Sequence, residues 1–183
     1  MIQLLKKIRD WYLAKIKWRR YKIGKHFHAG ARVRLWAKSR LEIGDYFYIG
    51  RDSQIETDCV IGDFVIFGNK VAMVGRYDHN FQQTGMPTRL ASQIRENDYS
   101  WLGLNQLTTI DEDVWVGYGS VIMSGVTIEK GSIIAAGSVV TGNVESYSVY
   151  GGVPAKKIKD RFNAKEALEE HIVKYEAFKK MMK

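Results

Sequence analysis

The sequence predicts an all-β fold, a parallel β-helix of about four to five stacked coils with one extended loop and an α-helix at each end. Three observations predict it. Apolar residues recur at every sixth position in two long blocks, most of them are followed directly by a small or acidic residue, and one long polar segment separates the blocks. A strict period of six fits neither a helix, with apolar residues three and four apart, nor a simple amphipathic strand, with one at every second place. It suits short straight strands joined by turns at a constant interval. Each strand then points one large apolar residue inward, and stacking buries a core that no single unit could bury.

The chain opens with residues 1–22, read as a basic amphipathic helix. Leu4, Leu5, Ile8, Trp11, Tyr12 and Ile16 fall at helical spacing, with Lys and Arg mostly elsewhere. Residues 1–25 hold nine basic side chains against Asp10 alone, a balance of +8 that equals the net charge of the whole chain. The body is therefore formally neutral. Such a helix suits an anionic membrane surface, and the competing reading is packing against the prism or a neighbouring subunit. The segment has no continuous apolar run with a small-residue cleavage site, so it does not read as a secretory leader. No run of about 18 apolar residues predicts a membrane span. No nucleic-acid-binding motif accompanies the charge, so nucleic acid is not an expected partner.

Residues 23–160 form the predicted β-helix domain. Ile23, Ala29, Leu35 and Leu41 keep a weaker beat, two residues out of phase with the block that begins at Ile43, and predict an imperfect first coil. The first full block runs Ile43, Ile49, Ile55, Ile61, Phe67, Met73, and the second Ile110, Val116, Ile122, Ile128, Ile134, Val140. The next residue is often Gly44, Gly50, Gly62, Gly68 or Gly117, read as the residue that lets the chain turn a corner. Four places after most of the apolar positions stands a second small or β-branched residue, from Ser53 and Cys59 to Ser132 and Ser138.

Between the blocks, residues 74–109 are polar, lose the period and carry His79; a loop this long in a small domain is usually functional. Residues 161–183 repeat Leu168, His171, Ile172, Tyr175 and Phe178 on a helical stripe, expected to cap an open β edge. A lone cysteine, Cys59, makes no internal disulfide, which favours a reducing, cytoplasmic setting.

The stretch DVWVGYGSVIMSGVTIEKGSIIAAGSVVTGNVESYSVYGGVPAKKIK, Asp113 to Lys159, resembles the C-terminal half of the hexapeptide-repeat acetyltransferases. With the first block, the resemblance covers roughly residues 40–160. It implies a left-handed β-helix shaped as a triangular prism, a homotrimer with active sites between subunits, and acetyl-CoA as cosubstrate with no metal. His79 corresponds to the catalytic histidine of that family, a general base that takes a proton from the acceptor while backbone N–H groups stabilise the oxyanion. Glu56 falls on an acceptor-binding carboxylate. Tyr48 stands where the galactoside branch has asparagine, a departure that alters the sugar site. Asp78, beside His79, joins the acceptor-side set. On the donor side the resemblance assigns Trp115 to the cofactor arm, Ala136 to the pantetheine, Thr141 to the adenine end, and Lys156 and Lys159 to the phosphates.

The implied reaction is O-acetylation of a saccharide in capsule or lipopolysaccharide assembly, with the arm holding the enzyme beside a lipid-linked acceptor at the inner membrane face. Xenobiotic O-acetylation of an antibiotic and N-acetylation of an amino sugar are the enzymatic alternatives. A non-catalytic β-helix scaffold is the third.

Overall fold

The computed structural model describes residues 2–182. Short strands follow one another around a prism. The first coil is β1 (Lys22–Ile23), β2 (His28–Ala29) and β3 (Arg34–Trp36), and the second β4 (Leu41–Ile43), β5 (Tyr48–Ile49) and β6 (Gln54–Glu56). The third is β7 (Cys59–Ile61), β8 (Ile66–Phe67) and β9 (Ala72–Val74). After the long loop come β10 (Thr108–Ile110), β11 (Trp115–Val116) and β12 (Val121–Met123). The fifth coil is β13 (Thr127–Ile128), β14 (Ile133–Ile134) and β15 (Val139–Val140).

Each strand pairs in parallel with its counterpart one coil away, which generates three sheets. Sheet A orders β1-β4-β7-β10-β13 and sheet C orders β3-β6-β9-β12-β15. Sheet B adds two strands beyond β14: β16 (Ser148–Gly152), which starts a sixth coil, and β17 (Ala155–Asp160), which folds back antiparallel. The prism thus has five complete coils and part of a sixth, slightly more than the repeat count suggests. The extra coil escapes the count because its inward residues, Val144 and Tyr150, leave the six-residue beat after Val140.

The periodic residues are the core. Ile43, Ile49, Ile55, Ile61, Phe67, Met73, Ile110, Val116, Ile122, Ile128, Ile134 and Val140 are all buried, as is the second column from Ser53 to Ser138. The buried serines answer to backbone carbonyls at the corners: Ser53 donates to Gly68 O at 3.1 Å and Ser120 to Ala135 O at 3.0 Å. A polar group in the core is thereby satisfied.

The first coil is more regular than its phase implies. Ile23, Ala29 and Leu35 lie in register on Ile43, Ile49 and Ile55, while Leu41 belongs to the next coil and pairs with Cys59. The shift of two is absorbed in the corner between β3 and β4.

The glycines after the apolar positions also act differently from expectation. The corner residue with left-handed backbone comes three places after the apolar one: Tyr46 (φ 59°), Phe64 (φ 58°) and Asp113 (φ 58°), then Gly119, Gly131 and Gly137. Gly44 does something else. A Cβ there would stand 2.6 Å from the Gly62 carbonyl carbon, so its bareness lets adjacent coils approach.

Helix α1 (Ile2–Tyr12) runs into a π-helical turn at Leu13–Lys17, and Ala14 and Trp18 are buried against the first coil. Among the described residues, no helix is long and apolar enough to cross a membrane. Helix α2 (Lys165–Met181) does not cap an open edge as expected. It lies along the corner between sheets A and B, because that corner carries a ladder of rings. His26 stacks on Tyr46 (4.3 Å between centroids), Tyr46 on Phe64 (5.0 Å), and Phe64 meets Tyr175 and Phe178 of α2 at 6.1 and 5.9 Å. Charges fix the rest: Lys130 bridges Glu112 (2.7 Å) and Glu176 (2.6 Å), and Lys179 pairs with Glu112.

Candidate functional site

The long segment leaves sheet C after β9 and re-enters sheet A at β10. Ile61 and Ile110 are register partners although 49 residues apart in sequence, where Ile43 and Ile61 are 18 apart. The excursion leaves the coil register undisturbed. It has its own small core of Ala91, Ile94 and Tyr99, with Phe81 and Trp101 edge-to-face at 4.7 Å. The Tyr99 hydroxyl donates to Tyr77 O at 2.5 Å and accepts from Gly103 N at 3.0 Å. Two bonds at its base, Asn80 N to Ser92 O (2.9 Å) and Ile94 N to Asp78 O (2.8 Å), close it into a compact loop.

The loop is tied to the prism by charged side chains. Arg95 pairs with Glu56 at 3.2 Å and its guanidinium lies 4.2 Å over the Trp36 ring. Lys38 donates to Glu96 O at 2.5 Å. At the loop's root, Arg76 donates from its backbone to Ser124 Oγ (2.8 Å) and from its guanidinium to Thr141 O (2.7 Å). Arg76, Arg95, Lys38 and Trp36 have no sequence signal that singles them out, because each acts through a partner that only folding brings close.

His79 stands at the base of this loop, in an isolated antiparallel bridge with Gln93. Its Nδ1 is buried and has no hydrogen-bond partner among the described residues. The Asp78 carboxylate packs onto Gly75, where an added Cβ would overlap it. Burial pushes the Asp78 carboxyl above its ordinary value; the nearby charges of His79 and Arg95 oppose that shift and Glu56 adds to it. Asp78 and Glu56 line one crevice with Trp36, Tyr77, Ile94 and Ser124, with room for about one water molecule. The Glu56 carboxylate is engaged on both sides, by Arg95 and by Arg34 at 3.5 Å.

Four of the five donor-side residues lie on sheet B and its corner with sheet C, and Thr141 does not. Trp115 is 52% exposed on sheet B. Ala136 stacks directly on Gly117, whose Cβ would meet Ala136 N at 2.6 Å, so Trp115 and Ala136 flank one corner. That corner is bare: nothing lies within 4 Å of where a Cβ would project from Gly119 or Gly137. Trp115, Ile133, Val149 and Lys159 are successive register partners across sheet B. Three strand spacings of about 4.8 Å put Lys159 roughly 14 Å from the tryptophan along one face. Lys156 and Lys159 take part in no ion pair among the described residues, whereas Lys157 between them is held by Glu145 and Asp160. Arg161 is occupied by Asp113 (2.6 Å) and Gly131 O (2.9 Å).

Thr141 stands apart from Ala136 at the far end of β15, beside the loop root. No hydrogen bond or ring contact joins His79 to any of the five donor-side residues within the described chain. The histidine and the tryptophan occupy different faces of one prism. Among the described residues, no three His, Cys, Asp or Glu side chains converge as a metal ion would require.

Residues 107–142 match the family model described as Bacterial transferase hexapeptide (six repeats). A chloramphenicol acetyltransferase of Klebsiella aerogenes is 48% identical over 59 residues, 32% of this chain and 28% of that protein. The fold is that of a hexapeptide-repeat acetyltransferase of Vibrio cholerae solved with acetyl coenzyme A: TM-score 0.66, 23% identity, 87% of this chain and 80% of the other. A maltose O-acetyltransferase of Clostridium difficile superposes with TM-score 0.61 at 24% identity, covering 86% and 83%. The chain spans between 28% and 52% of the length of the first curated relatives it matches.

Proposed function

We propose that this chain, whose second repeat block matches the bacterial transferase hexapeptide model, moves an acetyl group from acetyl-CoA to a saccharide hydroxyl, as in capsule or lipopolysaccharide assembly. One observation carries the reading. The block that matches the family presents an open corner at Ala136 and an exposed Trp115, and the strand β17 that follows it brings two uncommitted lysines to the same face. A thin flexible arm can lie on uncovered backbone, an aromatic face can flank it, and lysine meets phosphate as a point charge.

Acetyl-CoA supplies the activated acyl group. Trp115 and Ala136 hold its arm, Thr141 lies toward the adenine, and Lys156 and Lys159 meet the phosphates. His79 takes the proton of the acceptor hydroxyl as the new C–O bond forms, and passes it to the departing thiolate. The acceptor meets Glu56 and Asp78 at the rim of their crevice, which is too small to admit a sugar ring.

The working unit is a homotrimer in which His79 of one subunit faces the donor groove of the next. The separation of His79 and Trp115 on one prism supports this arrangement. The setting is the cytoplasm, with a lipid-linked acceptor at the inner membrane face.

A second reading, acetylation of an antibiotic hydroxyl, is favoured by the 48% identity to the chloramphenicol enzyme. The deciding experiment is thiol release from acetyl-CoA across saccharides, amino sugars and chloramphenicol. Turnover with saccharides above the rest supports the first reading, and preference for chloramphenicol or an amine overturns it. Absence of acetyl-CoA binding leaves only a β-helix scaffold.

A further inference from the structure

An amphipathic helix at the end of a folded domain ordinarily turns its apolar stripe toward the core. Helix α1 does the opposite. Asp10 faces the prism, its carboxylate 2.7 Å from His28 Nδ1 and 2.8 Å from Arg9, and Ala14 and Trp18 are the buried anchor. The solvent-facing side carries Leu4 (63% exposed), Leu5, Ile8 (55%), Tyr12 and Ile16, with Trp11 (59%) at its edge beside the first coil. Lys6, Lys7 and Lys15 are exposed around it, and Arg19 and Arg20 extend the basic run beyond the last helical turn. Between α1 and the first coil lies an open cleft lined by Lys7, Lys15, Lys22 and Lys25, with Trp11 at its side.

We propose that α1 docks the protein on an anionic lipid bilayer, its apolar face entering the interface and its basic residues meeting phosphate headgroups. Charge decides the occupant. The one acidic side chain of residues 1–25 is turned inward and already paired, so the arm presents an undiluted positive field. The rest of the chain carries 19 basic and 19 acidic side chains, so the positive excess belongs to the arm alone. A bilayer rich in anionic headgroups offers both partners at once, apolar depth and negative surface. Trp11 and Tyr12 suit the depth where one ring edge is wet and the other dry. The inference stands on α1 and its contacts, independently of acetyl transfer.

Flotation of the full-length protein with phosphatidylcholine vesicles, made with and without phosphatidylglycerol, reads it directly. The protein is expected to float only with the anionic vesicles, and less as salt rises. The double variants Ile8→Glu/Trp11→Glu and Lys6→Glu/Lys7→Glu should each lower the bound fraction at least about tenfold. Native mass, circular dichroism and acetyl transfer to a water-soluble acceptor should stay unchanged in both. Wild-type protein that fails to float, or floats equally with both vesicles, overturns the proposal. So does a changed native mass in the Ile8/Trp11 variant, which assigns the face to a second copy. Because transfer to a soluble acceptor is measured separately, loss of lipid binding and loss of the enzymatic reading are told apart.

Discussion

At the residue scale the proposed chemistry hangs on His79. Replacing it with alanine should lower turnover by roughly 10² to 10⁴ while leaving coenzyme A affinity nearly unchanged, since no donor-side residue touches it within the chain. Steady-state turnover and calorimetric titration with coenzyme A check the two halves separately. Full turnover in the variant would remove His79 from the reaction. The position of this histidine was legible because it lies in the one segment without the period. Its surroundings were not. That Asp78 turns to Gly75, and that Glu56 is held between Arg34 and Arg95, depends on partners up to 39 residues away. The lysines divide in the same way: Lys156, Lys157 and Lys159 look alike in sequence, and only folding commits Lys157 to Glu145 and Asp160.

At the scale of strands and corners, the period of six was sufficient for the stacking and misleading about the turns. The apolar residues repeat because each strand contributes one inward side chain, and that fact survives into the structure unchanged. The corner's left-handed residue is often not glycine, so composition hid it: Tyr46, Phe64 and Asp113 adopt it along one edge. Two substitutions separate the two uses of glycine. Gly119→Ala has φ +68° and open space, and should cost about 1 kcal/mol of backbone strain. Gly44→Ala drives a methyl group to within 2.6 Å of the neighbouring coil's backbone and should cost roughly 3 kcal/mol. Urea midpoints compare them, and equal losses would refute the distinction. Helix α2 was legible as a helix but not as a corner clamp, because the ring ladder that receives it is assembled from three coils.

For the molecule as a whole, the clamp makes shape depend on acid. Burial raises the Glu112 carboxyl, yet its bonds to Lys130 and Lys179 outweigh that and the net shift is downward; Glu176 is lowered by Lys130. A depressed carboxyl contributes stability above its unfolded value, near 4.3, and loses it as pH falls through the folded one. Acidification below the carboxylate range should therefore loosen α2 before the prism. Amide exchange, corrected for its intrinsic pH dependence, should show several-fold faster exchange in 165–181 with the β-strands unchanged. Glu112→Gln should abolish most of that response, and an α2 equally protected at both pH values would contradict the clamp.

The strand that turns back, β17, has a further consequence. A ladder of parallel strands exposes the same unsatisfied edge at its last rung as at every rung before, and a template of that kind invites another chain to continue it. Here the final rung is paired with its own sequel running the other way, ending in Lys156, Lys157 and Lys159. Sheet B therefore carries the repeat of a fibre together with its own stop, written into the strand that follows the last coil.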